Sequence, residues 1–134
     1  MKDVYGYENV TTALVNSFAW DTALKWIDKT NKNFSSSTQN GNYTTSLAYT
    51  GTTEKDVANR IFDLSGNVRE WSTEIYIPSI AETQNSGSTE ENIEGSYRTV
   101  RGGSVTLNKT PSSYNGYNVN TTAVYWGFRV ILYR

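Results

Sequence analysis

The chain contains no cysteine and no histidine among its 134 residues. These absences exclude thiol nucleophiles, disulfide bonds, imidazole general bases and most zinc or copper sites. No apolar run approaches the roughly 20 residues that cross a bilayer, and Met1 to Gly6 lacks the apolar core of a signal peptide. We therefore expect no membrane insertion, and the sequence alone assigns no localisation.

A cluster of positive charge is also missing. The 12 basic residues are spread from Lys2 to Arg134 against 13 acidic ones, which gives a formal net charge of -1. Proteins that bind nucleic acid through its phosphates need a basic patch or stripe. We therefore expect no nucleic-acid partner.

Apolar and aromatic side chains are plentiful. The sequence is 37% hydrophobic and 13% aromatic, unlike the composition of disordered chains. Its length suffices for one sizeable core and is short for two ordinary domains. We expect a single domain over 1–134, either a whole protein or part of a longer one.

The clearest local pattern is a helix from Ser17 to about Asn31. Asn16 or Ser17 can cap its start, because a side-chain oxygen there can accept a bond from a free backbone N–H. The apolar stripe consists of Trp20, Ala23, Leu24 and Ile27. Three tryptophans in apolar surroundings are predicted to be core residues: Trp20, Trp26 and Trp71.

The remaining segments suggest strands and loops. The polar stretches 33–42 and 83–95 predict exposed loops. Ile61 to Leu64 predicts a strand, 65–67 a tight turn, and Val68 with Trp71 a second short strand. Phe128 to Tyr133 predicts a final strand that ties the end of the chain into a sheet.

The segment 105–126 is long and weakly patterned. Irregular segments of this length inside compact domains tend to be functional. The segment shows neither helical nor strand periodicity, so side chains such as Tyr114, Tyr117 and Tyr125 are predicted to face solvent, whereas a core role and a contact role are both open for Trp126.

Three motifs occur in order: Ile61 to Trp71 (IFDLSGNVREW), Arg98 to Ser104 (RTVRGGS) and Gly127 to Val130 (GFRV). Together they closely resemble the formylglycine-generating enzyme (sulfatase-modifying factor) family. The resemblance implies an α+β, C-type-lectin-like fold with a small twisted antiparallel sheet, one or two helices and much irregular structure. Enzymes of this family use paired cysteines, and related sulfoxide synthases use a histidine iron site. Since both residue types are missing, we expect no catalysis by these mechanisms.

The chain is most similar to another branch of the family, the variable proteins of diversity-generating retroelements and similar phage or bacterial surface-display proteins. In that branch, ligand-contact residues lie between the RGGS-like and GFR-like motifs. The resemblance thus implies a ligand-binding surface in the segment 105–126, which is rich in Tyr and Asn. The candidate contact residues are Val105, Leu107, Asn108, Tyr114, Asn115, Tyr117, Asn118, Asn120, Tyr125 and Trp126.

Asn67 and Glu70 match the family motif that holds a structural calcium ion, and oxygen ligands suit that ion. The alternative is that Asn67 forms the turn and Glu70 pairs with a nearby arginine. Arg101 and Arg129 are expected to serve structure rather than anion binding. No other cofactor is expected.

The leading hypothesis is a non-catalytic display domain that binds a protein or glycan receptor on a cell surface, with a place on a virion or a cell surface. One alternative is an enzyme of the formylglycine-generating superfamily with an unrecognised site. Another is a structural domain of a fibre. The sequence leaves the ligand and the oligomeric state open.

Overall fold

The computed structural model describes residues 11–44, 46–52, 54, 57–77 and 96–133. The predicted loop at 83–95 lies outside them. Within these ranges the elements, in chain order, are β1 (Thr11–Leu14), α1 (Ser17–Ile27), a 3-10 helix (Phe34–Ser36), β2 (Val57–Ala58), β3 (Ile61–Phe62), β4 (Arg69–Ile75), β5 (Tyr97–Arg101), β6 (Tyr114–Asn118), β7 (Trp126–Phe128) and β8 (Val130–Tyr133).

Helix α1 begins where the sequence predicts. Oδ1 of Asn16 accepts a hydrogen bond from Ala19 N at 2.7 Å and so satisfies one of the backbone donors that the first turn leaves free. The predicted end at Asn31 is wrong, because the helix ends at Ile27. Thr30 N and Asn31 N both donate to the carbonyl of Ile27, at 2.9 and 2.8 Å, so the chain continues as turns.

The two tryptophans of α1 have different environments. Trp20 is 2% exposed, and its Nε1 donates to the carbonyl of Pro111 at 2.9 Å. Trp26 is 49% exposed, so the prediction that it is a core residue is wrong. The inward-facing positions of the helix are Trp20, Leu24 and Ile27, and position 26 lies beside that stripe, facing away from the core.

The main core forms between α1 and the segments that pack on it. Its buried members are Val15, Trp20, Leu24, Ile27, Phe34, Ala58 and Leu64. Phe34 corrects the prediction of an exposed loop at 33–42, because this side chain is only 3% exposed. The 3-10 helix turns it back towards α1, and the Asp28 carboxylate anchors that turn by accepting a bond from Ser35 N at 3.0 Å.

The largest sheet has four strands in the order β6-β5-β4-β7. Strand β5 is antiparallel to both β4 and β6, but β7 is parallel to β4. The prediction of an antiparallel sheet is therefore wrong for one pair. After β6 the chain crosses to the opposite edge of the sheet, where Arg69 N donates to the carbonyl of Tyr125 at 2.8 Å and β7 runs alongside β4.

The end of the described chain pairs with its beginning. Strands β1 and β8 form an antiparallel ribbon, with Leu14 opposite Val130 and Thr11 opposite Tyr133. This confirms that the final apolar segment is tied into a sheet. The predicted continuous strand is split between β7 and β8 at Arg129, whose side chain binds Glu70.

The motif segment 61–71 has the predicted order of strand, turn and strand. Gly66 adopts a φ of 72°, and a Cβ at this position would lie 2.5 Å from the backbone oxygen of Asn42. Glycine is therefore required by both backbone conformation and space. Strand β3 pairs with β2, whereas β4 enters the four-stranded sheet.

Candidate functional site

The four-stranded sheet has two faces of different character. Side chains alternate between the faces of a strand, and the strand register places opposite residues on the same face. The inner face carries Glu70 and Arg101. The guanidinium group of Arg101 lies over the ring of Trp20 in α1. Glu70 binds Arg129, whose guanidinium group also lies over that ring. The outer face, as the register defines it, consists of Arg69, Trp71, Arg98, Val100, Asn115, Tyr117, Trp126 and Phe128.

Three aromatic rings form a cluster on the outer face. The Trp126 ring lies 4.5 Å from Tyr117 and 4.8 Å from Trp71, centroid to centroid, at interplanar angles of 70° and 66°. Such edge-to-face contacts are favourable for aromatic pairs. All three residues are half-buried, and Val100, on the central strand between them, is only 2% exposed. We call Trp71, Tyr117 and Trp126 the aromatic cluster.

A cation is attached to this cluster. The guanidinium carbon of Arg69 lies 5.2 Å from the centroid of the Tyr117 ring, and Nη1 of Arg69 donates to the Tyr117 hydroxyl. The arginine thereby restricts the tyrosine ring to one orientation, which reduces the conformational entropy that a contact with a ligand would cost.

Two cavities flank the aromatic cluster. The apolar groove, of about 630 Å³, is lined by Leu14, Trp71, Val119 and Phe128 together with Ser72, Thr73 and Arg98. The polar cleft is smaller, about 150 Å³, and its lining includes Arg69, Leu107, Lys109, Ser113 and Asn115. The described lining residues of the two cavities include Arg69, Arg98 and Lys109 and no acidic side chain, so the cavities favour negative charge.

Comparison with protein families gives one result that decides the family. The model of the sulfatase-modifying factor enzyme 1-like domain matches residues 7–133. The chain belongs to this family. Membership agrees with the α+β architecture of one helix and several small sheets and gives the domain a C-type-lectin-like fold. Comparisons with curated proteins and with solved structures found no match.

The described part of this sulfatase-modifying factor-like domain contains no helix with the length and apolar character that a bilayer crossing requires.

The structure brings several predicted contact residues of the domain together. Asn115, Tyr117 and Trp126 lie on the outer face, and Leu107 and Tyr114 line the polar cleft. Tyr114 is 65% exposed. Asn108 and Asn120 are also exposed, and Asn118 and Tyr125 are half-buried.

Two predictions about the segment 105–126 need correction. Val105 is 4% exposed, so its side chain belongs to the interior and not to a surface. The segment also contains the strand β6, whose pattern YNGYN hides its alternation because polar residues occupy both faces. Tyr117 is consequently not free to face solvent, since it packs on Trp126 and bonds to Arg69.

Sequence reasoning missed several residues that line the two cavities, among them Leu14, Arg69, Arg98, Lys109, Val119 and Phe128. It also placed Trp71 in the core, which is wrong, because Trp71 is half-buried on the outer face and lines the apolar groove. Strand period was the available signal. In the sequence REWSTEI the buried Glu70 and Ser72 alternate with Arg69 and Trp71, which places the latter two on the opposite face.

The two residues predicted to hold calcium are engaged with protein groups. Oδ1 of Asn67 accepts bonds from Asn42 Nδ2 at 3.2 Å and Ala48 N at 3.1 Å. Both Glu70 oxygens accept from Arg129, at 2.8 Å from Nε and 2.7 Å from Nη2. A guanidinium thus occupies the position of a cation beside Glu70, so this pair of residues does not fit a calcium ion, and the alternative of a turn and an ion pair fits.

The arginine also explains how the scaffold tolerates a buried carboxyl group. Glu70 is 5% exposed. Burial raises the pKa of the Glu70 carboxyl, and the hydrogen bonds and charge of Arg129 act in the opposite direction. Nη2 of Arg129 continues to the carbonyl of Phe62 at 2.7 Å, which connects β3, β4 and the residue between β7 and β8.

A chelator is therefore expected to leave the melting temperature of the domain unchanged. The side-chain oxygens of Asn67 and Glu70 accept hydrogen bonds from protein N–H groups, so their contacts do not depend on calcium. The measurement is thermal unfolding in EDTA and in excess calcium. A melting temperature that falls with EDTA and recovers with calcium would show that the ion contributes to the scaffold.

Proposed function

We propose that this domain is a non-catalytic ligand-binding display module, of the kind carried by phage tail tips and bacterial surface proteins, and that the outer face of its four-stranded sheet is the contact surface. The observation that carries the proposal is the aromatic cluster. Its Trp126 ring contacts both Trp71 and Tyr117 on the face opposite the core, beside two cavities.

The chemistry of the surface supports this function. Tyrosine and tryptophan offer a large, rigid contact area at low entropic cost, and asparagine adapts its hydrogen bonds to different partners. Binding energy at protein interfaces concentrates in such aromatic and arginine anchors. Tyr117, Trp126 and Arg69 supply the anchors, while Asn115 and Asn120 supply exposed adaptable groups.

The residue types of the chain argue against catalysis by the mechanisms of related enzymes. The thiol and imidazole groups that related enzymes use cannot be formed by a sequence that contains neither cysteine nor histidine. The buried carboxylate of Glu70 lies on the inner face and is bound to Arg129, so it has no access to a ligand on the outer face.

The arrangement also supports a place among the variable proteins of diversity-generating retroelements. Exposed positions such as Asn108, Asn115 and Asn120 have side chains whose replacement leaves no cavity in the core. Membership predicts a near-identical template repeat and a reverse transcriptase gene beside the coding sequence. If the complete genomic neighbourhood contains neither the template repeat nor the reverse transcriptase gene, the diversified function is contradicted. A binding surface of fixed sequence would then be the remaining proposal.

Incubation with a sulfatase-derived peptide and added copper is expected to give no oxidised product. The reason is the lack of any thiol that could bind the copper or activate the peptide. Mass spectrometry of the peptide reads the result, with a cysteine-containing enzyme of the family as the positive control. Any turnover above the protein-free reaction contradicts the non-catalytic proposal.

A further inference from the structure

The two cavities of the outer face differ in chemistry, and this difference restricts the ligand. The large one is lined mainly by Leu14, Trp71, Val119 and Phe128, of which Phe128 is 67% and Val119 50% exposed. Apolar side chains of a partner would be stabilised there by about 25 cal/mol for each Å² removed from water. The polar cleft instead presents the cations Arg69 and Lys109.

We propose that the outer face binds a protein segment that places an acidic side chain in the polar cleft and large apolar side chains in the apolar groove. This inference rests on the proposed binding function and names the chemical class of the partner. The face thus recognises an acidic, apolar-rich polypeptide.

Charge complementarity argues for the acidic side chain. Arg69 is held in place by its bond to the Tyr117 hydroxyl, and its guanidinium has five N–H donors, so it keeps donors for a carboxylate. Lys109 is exposed and lines the same cleft. A volume of about 150 Å³ equals that of roughly five water molecules in the liquid, which is enough for an Asp or Glu side chain.

The apolar groove argues for a polypeptide rather than a glycan. A sugar carries a hydroxyl on nearly every carbon, and each hydroxyl that loses water needs a new hydrogen-bond partner. Leu14, Val119 and Phe128 offer none, and the polar side chains Ser72, Thr73 and Arg98 are the minority of the described lining. Leucine or phenylalanine side chains of a peptide have no such requirement and can fill a space of about 630 Å³.

The test is selection of a displayed library of random linear peptides on the native domain. We expect enriched peptides that contain Asp or Glu close to large apolar residues and that are depleted in Lys and Arg. Their binding should weaken as salt rises, because exposed charge pairs are screened. Enriched peptides without acidic residues, or no enriched peptide, would overturn the inference.

Two matched charge reversals test whether the polar cleft binds the acidic side chain. Lys109→Glu should weaken binding of a selected acidic peptide by about five-fold or more, because it replaces attraction with repulsion at the cleft. Lys25→Glu is the control, since Lys25 is an exposed lysine on α1, away from the sheet's outer face. Equal binding by the two variants would overturn the assignment of the cleft.

A glycan array probed with the same native domain separates failure of this inference from failure of the proposed function. Glycan binding without peptide binding would leave a display surface but refute the polypeptide partner. No binding in either format would refute both.

Discussion

Replacing Trp20 by alanine is expected to lower the free energy of unfolding by about 3 to 5 kcal/mol. The side chain is 2% exposed, and its Nε1 bond to Pro111 fastens α1 to the segment that precedes β6. The guanidinium carbons of Arg101 and Arg129 each lie 5.7 Å from its ring, so removal also takes an aromatic contact from both cations, although Arg101 keeps its contact with the Tyr114 ring at 5.6 Å.

Trp26→Ala is the matched control for this loss, because it makes the same change in the same helix. Trp26 is 49% exposed, and alanine has the higher helix propensity, so we expect a loss of about 1 kcal/mol or less. Chemical denaturation of both variants measures the difference. Similar losses for the two variants would contradict the assignment of Trp20 as the residue that joins helix and sheet.

Replacing Glu70 by alanine is expected to lower the free energy of unfolding by a similar amount, about 3 to 5 kcal/mol. The change leaves Arg129 without the carboxylate that neutralises it in a largely buried site. Glu74→Ala is the control on the same face of the same strand. Glu74 is exposed and only accepts a hydrogen bond from Ser17, so its loss should cost about 1 kcal/mol or less.

The pH dependence of stability provides an independent test of the environment of Glu70. Burial raises the folded-state pKa of Glu70 above its unfolded value, so the protonated carboxyl is favoured by folding. This contribution to stability is fully present below the unfolded pKa and is lost as pH rises through the folded pKa. The melting temperature of the native protein, measured relative to Glu70→Gln, should therefore fall as the pH rises above the ordinary glutamate pKa of about 4.3. A rise over that range would show that the ion pair with Arg129 outweighs burial.

The parts of the fold that local sequence predicts are those that local interactions determine. The Asn16 cap depends on residues three apart, and the buried stripe of α1 depends on helical period. Phe34 could not be predicted in this way, because its burial depends on a turn that the Asp28 carboxylate stabilises. The parallel pairing of β7 with β4 likewise depends on a chain crossing that has no local pattern.

The same distinction holds for the site. The segment 105–126 contributes Asn115, Tyr117 and Trp126 to the outer face, but their partners Arg69 and Trp71 are more than 40 residues earlier in the chain. Because its side chain is apolar, residue type alone predicts that Trp71 lies in the core. Only the register of the sheet shows that it faces away from α1.

A paired scan of melting temperature and ligand binding across 105–126 tests the separation of scaffold and surface most directly, with binding measured against a partner selected on the native domain. Alanine at Tyr117 on the outer face, or at the exposed Tyr114 in the lining of the polar cleft, should lower affinity by about 2 kcal/mol or more while the domain stays folded. Alanine at Gly103, outside the surface, should lower both readings, because a Cβ there would lie 2.3 Å from the carbonyl oxygen of Leu107. If the tyrosine variants unfold as readily as Gly103→Ala, these tyrosines are part of the core and the account of a display surface is wrong.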